Sequence, residues 1–375
     1  MKTRIFKALP AYGGYISDLY RNNALLASQS FDVQLNRFRE DCFQWIMSWG
    51  KYNNDPDVEI IETVLNSFPL QNAWGNGTFS GRQDWMTGIV LEQIKAMKPH
   101  VCLLYSPEIF TPEIISRIKE SCPHVIIGGY DGMNRQNISK YDGYDFVITC
   151  SPFISDYYSR HGIPTFPMCF GFDEDILRLT VVREKQYDVS FSGSIFPGIH
   201  NDRFDLISYL NKFVKVSVCS EFAHSPNGSF ISRHVYRELK TIPFNRVVDY
   251  LRLYKRNIGP LYGLEMFQFL RDSRVVLNMH GDKIGFAANI RLFEATGVGS
   301  CLLTDWKENL PDLFEPGKEV LAYHSIEEAK DIAQYCLNHP EYTRQIALNG
   351  QKRVFADYSQ RRTVPEVISF VKSFC

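Results

Sequence analysis

The stretch Asn289-Ile-Arg-Leu-Phe-Glu-Ala-Thr-Gly-Val-Gly-Ser-Cys-Leu-Leu-Thr-Asp305 decides the reading of the chain. It begins as an apolar helix interrupted by one carboxylate, stops at Gly297 and Gly299, and continues as a short apolar strand ending at Thr304-Asp305. Glycine just past a helix is the usual left-handed stop. A helix that feeds a buried strand across so short a turn is half of a crossover unit, the repeating element of a parallel sheet. Glu294 is the anomaly. A carboxylate between Phe293 and Ala295 is costly to bury unless it meets hydroxyls or a cation. The adjacent hydroxyls of a ribose would satisfy it, and so would an ion pair with Arg291 or a loop cap.

Outward from this stretch the same rhythm recurs. Apolar runs at Val101–Tyr105, Val125–Gly128, Phe146–Thr149 and Thr165–Met168 alternate with helical patterns at Gln83–Ala96, Thr111–Ser121 and Ile154–His161. It restarts with strands at Asp188–Ser192, Val214–Ser220, Val275–Met279, Cys301–Thr304 and Val320–Tyr323. Helices are expected at Asp202–Phe213, Gly263–Arg271, Ala287–Thr296, Ile326–Asn338 and Glu341–Phe355. Two α/β units of doubly wound, Rossmann-like type follow. The expected domains are 1–175 and 176–355, joined through the polar stretch 171–186, with 356–375 as a terminal helix packing back onto the first. In such folds ligands meet the carboxyl ends of the strands, and a cleft between the two units is the expected site.

The 375 residues suit two domains, and 45% hydrophobic and 22% charged residues are ordinary for globular chains. A formal net charge of −1 argues against nucleic acid as a partner. The segment 233–256 is locally basic, with Arg233, Arg237, Lys240, Arg246, Arg252, Lys255 and Arg256 among aromatic residues. It reads either as a solvated helical face or as a peripheral contact with an anionic membrane surface. The start is basic but lacks an apolar signal region, and no run approaches the ~20 apolar residues of a membrane span. Nine cysteines stand singly with no Cys-x-x-Cys pair, so neither a zinc site nor a disulfide framework is expected and a cytoplasmic setting fits.

The run Phe293–Val354 (FEATGVGSCLLTDWKENLPDLFEPGKEVLAYHSIEEAKDIAQYCLNHPEYTRQIALNGQKRV) resembles the carboxyl-terminal domain of the spore-maturation-type, CgeB-like glycosyltransferases. These are relatives of the retaining nucleotide-sugar enzymes with the GT-B fold. Val275-Val-Leu-Asn-Met-His280 and Asp188-Val-Ser-Phe-Ser-Gly-Ser194 extend the resemblance upstream, and Gly171-Phe-Asp173 continues it at the domain junction. The resemblance implies sugar transfer from a nucleotide-diphosphate donor to a glycan, lipid-linked or protein acceptor, in surface polysaccharide or glycoconjugate assembly. It implies a hexosyl donor, and it implies no cofactor beyond the donor itself and no metal. Glu294 would hold the ribose, and Asn289 opens the motif. Arg291 and Arg203 would meet the diphosphate, since an Arg fork matches phosphate oxygens. Gly193 and the backbone of Gly297–Ser300 would add close approach and amide donors.

One departure stands out. Many retaining relatives carry a second Glu eight positions before the first, and here that position is Phe286. Sugar identity and stereochemical outcome therefore do not carry over. Donor epimerisation or hydrolysis, or non-catalytic nucleotide-sugar binding, remain the alternatives. Three further sites complete the reading. Gly13-Gly14 follows the first apolar run and offers backbone approach to a phosphate, or a plain turn. Asp131 ends the run Gly128-Gly-Tyr-Asp and is the candidate acceptor-side catalytic carboxylate, with a turn Asp as the alternative. His280 ends a strand as a second catalytic candidate, with a satisfied loop histidine as its alternative. Asp173-Glu174-Asp175 mimics a metal-binding triplet but lies in the linker, and is read as no metal site.

Overall fold

Two parallel sheets organise the chain, one in each of two structural units. The computed structural model describes residues 2–43, 47–105, 107–132, 137–195, 200–221, 246–281 and 285–375. The first unit comprises Met1–Phe170 with Gln360–Cys375, and the second Gly171–Ser359.

In the first unit the strands are β1 (Thr3–Leu9), β2 (Val58–Val64), β3 (Val101–Leu104), β4 (Ile126–Tyr130), β5 (Phe146–Thr149) and β6 (Thr165–Pro167). Their order is β2-β1-β3-β4-β5-β6, and every pairing is parallel. Helices cover both faces, so the central strands read as unbroken apolar runs: Val101–Leu104 and Phe146–Ile148 are fully buried. Close packing leaves no room at Gly128, where a Cβ would stand 2.1 Å from the Phe146 ring. β2 was absent from the runs expected from sequence. Its Glu62 explains why: it is a buried carboxylate in β2, paired at 2.9 Å with the equally buried Lys7 of β1. The terminal helix Gln360–Lys372 packs on Trp49–Tyr52, and Lys372 pairs with Asp55 at 2.6 Å.

In the second unit the strands are β7 (Tyr187–Ser192), β8 (Val216–Cys219), β9 (Ser273–Asn278), β10 (Cys301–Asp305) and β11 (Leu321–Tyr323). The order is β11-β10-β9-β7-β8, again parallel throughout. The chain leaves β7 first towards β8 and later returns to β9 on the other side, so a topological switch point lies between β7 and β9. Val189, Phe191, Val218, Val275, Leu277 and Leu303 fill the core beneath it.

The helix of the deciding stretch runs Arg291–Gly297, starting four residues later than its periodicity predicts. Its stop has two bonds: Gly299 N donates to Thr296 O at 2.9 Å and Ser300 N to Ala295 O at 3.1 Å. Gly299 sits at φ +78°, the left-handed position such a cap requires. Gly297 serves differently. A Cβ there would fall 2.3 Å from the ring of Phe172, so glycine lets the helix lie flat on that aromatic residue.

Candidate functional site

The carboxyl ends of β7 and β9 flank the switch point, and side chains from four segments converge there. Arg203 reaches it from the helix Asn201–Leu210: its Nε donates to Met279 O and its Nη1 to Ser194 O, both at 3.2 Å. The guanidinium thereby ties the loop after β7, which begins at Gly193, to the loop after β9. Arg291 approaches from the opposite helix. Its Nη2 donates to Ser192 Oγ at 3.2 Å, its Nη1 contacts Met266 Sδ at 3.1 Å, and its buried Nε has no hydrogen-bond partner.

Glu294 lies one turn further along and is only 3% exposed. Arg291 Nη1 stands 2.7 Å from its Oε2 as an ion pair, yet off the direction of a hydrogen bond, so Oε2 accepts none. Burial pushes the carboxyl above its ordinary range, and the Arg291 charge offsets this only in part. Of the two alternatives posed by the sequence, the pair with Arg291 is present, and it leaves a buried oxygen with unused acceptor capacity. Carboxylates do not stay in that condition cheaply.

A second pair stands after β9 and at the end of β10. His280, 1% exposed, is held by Asp305 from the end of β10: Asp305 Oδ1 accepts from His280 Nδ1 at 2.7 Å and from its backbone N at 3.0 Å. Lys307 Nζ approaches Asp305 Oδ2 at 3.2 Å. Burial alone would raise the Asp305 carboxyl, but the His280 hydrogen bond and the positive neighbours outweigh it and hold it below its usual value. With Nδ1 committed to Asp305, His280 Nε2 is the ring atom left for chemistry. It is buried and unpartnered. A chain of hydrogen bonds joins the segments that carry both pairs: Asn289 Nδ2 donates to Asn278 Oδ1 (2.8 Å), Asn278 Nδ2 to Thr304 Oγ1 (2.9 Å), and Tyr323 OH to Asn278 O (2.9 Å). Asn289 therefore sets the register of the Arg291 helix against the ends of β9 and β10.

Two expectations are corrected, at Gly299–Ser300 and at Asp131. Gly299 and Ser300 spend their amides on the helix stop, at the amino end of β10 and so on the far side of the sheet from the switch point. Phe286, at the position of the second Glu of the retaining relatives, is buried at 3% exposure. Asp131, the candidate for meeting an acceptor hydroxyl, is fully enclosed, and its Oδ2 accepts from Tyr158 OH at 2.9 Å. A carboxylate so placed orients a tyrosine.

In the first unit Gly13 and Gly14 open the helix Gly13–Asn22 beyond β1, at the β1/β3 switch point of that sheet. The loop leading to them is pinned by Asn66, which accepts from Ala11 N and donates to Ala11 O, both at 2.8 Å. Space around Gly13 is open, with no atom within 4 Å of a notional Cβ. Asp173, Glu174 and Asp175 are used locally: Asp173 Oδ1 accepts from Asp175 N, Glu174 from Ser359, and Asp175 pairs with Arg178. Among the described residues no group of three or more His, Cys, Asp or Glu side chains converges as a metal site, and no helix is long and apolar enough to cross a membrane. Arg233, Arg237 and Lys240 lie outside the described residues.

Sequence reasoning missed Asp305 as the partner of His280, and with it Ser192, Asn278 and Tyr323. The signal available was position, since Ser192, Asn278, Asp305 and Tyr323 all end strands.

Two doubly wound parallel units in one chain, the second carrying this cluster, define a protein of GT-B fold. Residues 229–369 match the family described as glycosyl transferase-like. Across its whole length the chain is similar in structure to Anabaena HepE in complex with UDP-glucose (TM-score 0.63, 10% identity, covering 99% of this chain and 100% of that one). It is likewise similar to sucrose-phosphate synthase from Thermosynechococcus elongatus (0.59, 12%, 99% and 99%). A putative UDP-N-acetylglucosamine 2-epimerase from Listeria monocytogenes gives 0.54 at 13% identity, covering 100% and 96%. At such identities the likeness is one of fold. No curated protein matches the chain.

Proposed function

We propose that this chain is a glycosyltransferase that moves a hexosyl group from a nucleotide-diphosphate sugar to an acceptor hydroxyl. The observation that carries the reading is Glu294, a buried carboxylate with an unused acceptor oxygen beside an Arg with an unused donor, at the switch point of a GT-B carboxyl-terminal unit. Ribose hydroxyls would donate to Glu294. The diphosphate would meet Arg291 and Arg203, whose forks suit phosphate oxygens. The amino-terminal unit would hold the acceptor, and its Gly13-Gly14 turn would offer close backbone approach to a phosphate. The glycosyl transferase-like match and the UDP-glucose complex of HepE support this reading.

In the transfer, the bond between the anomeric carbon and the diphosphate oxygen breaks and its electron pair leaves with the diphosphate. The acceptor oxygen bonds to the anomeric carbon, and its proton passes to the departing diphosphate. The two arginines stabilise the growing charge on the leaving group, the role other transferases give to a divalent ion. His280 Nε2, its ring fixed by Asp305, would serve the donor as hydrogen-bond acceptor when neutral and donor when protonated. The acceptor class (glycan, lipid-linked or protein), a role in surface polysaccharide assembly, kinship with the spore-maturation-type branch and a cytoplasmic location belong to the same proposal. The helix Val247–Arg256 would supply peripheral membrane contact, since Val248, Leu251, Arg252, Lys255 and Arg256 are exposed on it.

The test is release of nucleoside diphosphate from UDP-glucose and UDP-N-acetylglucosamine, with and without oligosaccharide and lipid-linked acceptors. Acceptor-dependent release with glycosylated product is expected. Release without any acceptor would replace transfer by hydrolysis or epimerisation. Tight donor binding with no turnover under any acceptor would make the chain a binding protein, the reading that Phe286 favours.

A further inference from the structure

The second unit carries another concave surface, along the free edge of its sheet. A groove of about 560 Å³ runs beside β11, lined by Trp306, His324, Asp331, Ile332, Tyr335 and Tyr342. That volume falls in the range of small-molecule sites. What distinguishes the groove is its ring content. Tyr335 and Tyr342 are 49% and 37% exposed, and meet edge to face with centroids 5.4 Å apart at 81°.

The ring planes are set by two histidines, His324 within the groove and His339 outside its lining. His339 stacks on Tyr335 (3.9 Å, 19°) and His324 on Trp306 (5.1 Å, 29°). Each histidine occupies one face of its partner, so a ligand meets a ring whose orientation is already fixed. Asp331 lies one helical turn before Tyr335, on the same face of the helix Ile326–Asn338. Its carboxylate is 68% exposed beside Lys330.

Flat apolar rings flanked by an exposed carboxylate and an imidazole match one ligand chemistry well. A pyranose with equatorial hydroxyls has two C–H faces that stack on aromatic rings, and a rim of hydroxyls that donate to a carboxylate. An added peptide strand fits poorly, because β11 offers only three residues for pairing. We propose that the groove at the β11 edge is a saccharide-binding subsite for a gluco-configured glycan chain, separate from the residues assigned to the donor. It adds a site that the transfer reading does not require, and it stands or falls by glycan binding alone.

The experiment is calorimetric titration of the full chain with cellohexaose, chitohexaose and maltohexaose, with UDP titrated in parallel. At least one hexaose is expected to bind at millimolar concentration or below. Tyr335→Ala should weaken it about tenfold, the scale of one lost stacking contact. Tyr335→Phe should keep the affinity, and neither variant should alter UDP binding. Tyr335 is half exposed, so an unchanged melting temperature is expected. Should Tyr335→Ala melt early, Asp331→Asn on the exposed rim takes its place, with the same loss expected. Absence of binding by all three hexaoses overturns the proposal. So does a hexaose whose affinity is unchanged in Tyr335→Ala, Trp306→Ala and Asp331→Asn, because the glycan then sits elsewhere. UDP binding that survives such a result leaves the donor site intact.

Discussion

Replacing Glu294 by Gln tests the donor site most directly, because it keeps shape and removes charge. Hydrogen bonds to a charged group contribute about 1.5–3 kcal/mol each, against about 1 for neutral pairs. If two ribose hydroxyls donate to Glu294, Gln keeps one acceptor oxygen and the loss is about 2 kcal/mol, or roughly 30-fold in Kd. The fold should respond in the opposite sense. Burial raises the Glu294 carboxyl even with Arg291 beside it, so folding favours its protonated form. That contribution to stability is complete below the unfolded value of about 4.3 and is lost as pH rises through the raised folded value. Above that raised value the ionised wild type carries a cost that Gln lacks, and there Glu294→Gln should melt at the same temperature or higher. The assay pairs calorimetry with UDP and UDP-glucose between pH 5 and 8 with thermal melts of the unliganded protein. In the wild type, donor affinity should fall as pH drops through the raised carboxyl value, whereas the variant should show weak, pH-independent binding. Equal donor affinity in the two proteins would refute the ribose assignment.

Other perturbations reach other parts of the argument. Asp305→Asn, which unsettles the ring orientation of His280, should lower kcat by more than tenfold while leaving UDP affinity within about twofold, as expected of a positioning residue; parallel loss of both would make it a binding residue. Transfer in excess EDTA should persist if Arg203 and Arg291 supply the charge at the diphosphate, and loss of turnover restored by Mg²⁺ would show otherwise. Gly297→Ala places a Cβ against the Phe172 ring and should cost about 1–3 kcal/mol in urea denaturation. Lys7→Met should cost about 3–5 kcal/mol, since Glu62 keeps only the Trp49 and Gly50 amides as partners. Burial pulls the Lys7 amine down to about 8 against the opposing Glu62 charge. The unfolded chain then binds more protons between about pH 8 and 10.4, so wild-type stability gains with pH across that window; the variant should lack this gain.

Much of this was legible in one dimension because parallel sheets covered on both faces require unbroken apolar runs. Val101–Leu104, Phe146–Thr149 and Cys301–Asp305 could be read directly for that reason. β2 could not, because Glu62 breaks its run and is tolerated only through Lys7, 55 positions earlier in the chain. The late start of the helix at Arg291 was hidden too, since Asn289 is held by a side chain of β9.

From its sequence alone the chain could be read as two doubly wound units, with Glu294 as a carboxylate out of keeping with its neighbours. These properties are local: periodicity, glycine stops and one misplaced charge are written into consecutive residues. Only the tertiary structure decided which groups meet. It joined Asp305 to His280 and left Glu294 Oε2 and Arg291 Nε with unspent bonding capacity. It also took Asp131 out of reach, closing it against Tyr158. Strand order is the physical reason. Residues on β7, β9 and β10 become neighbours through a crossover that sequence distance does not reveal, and a polar group's partners are known only when those ends lie side by side.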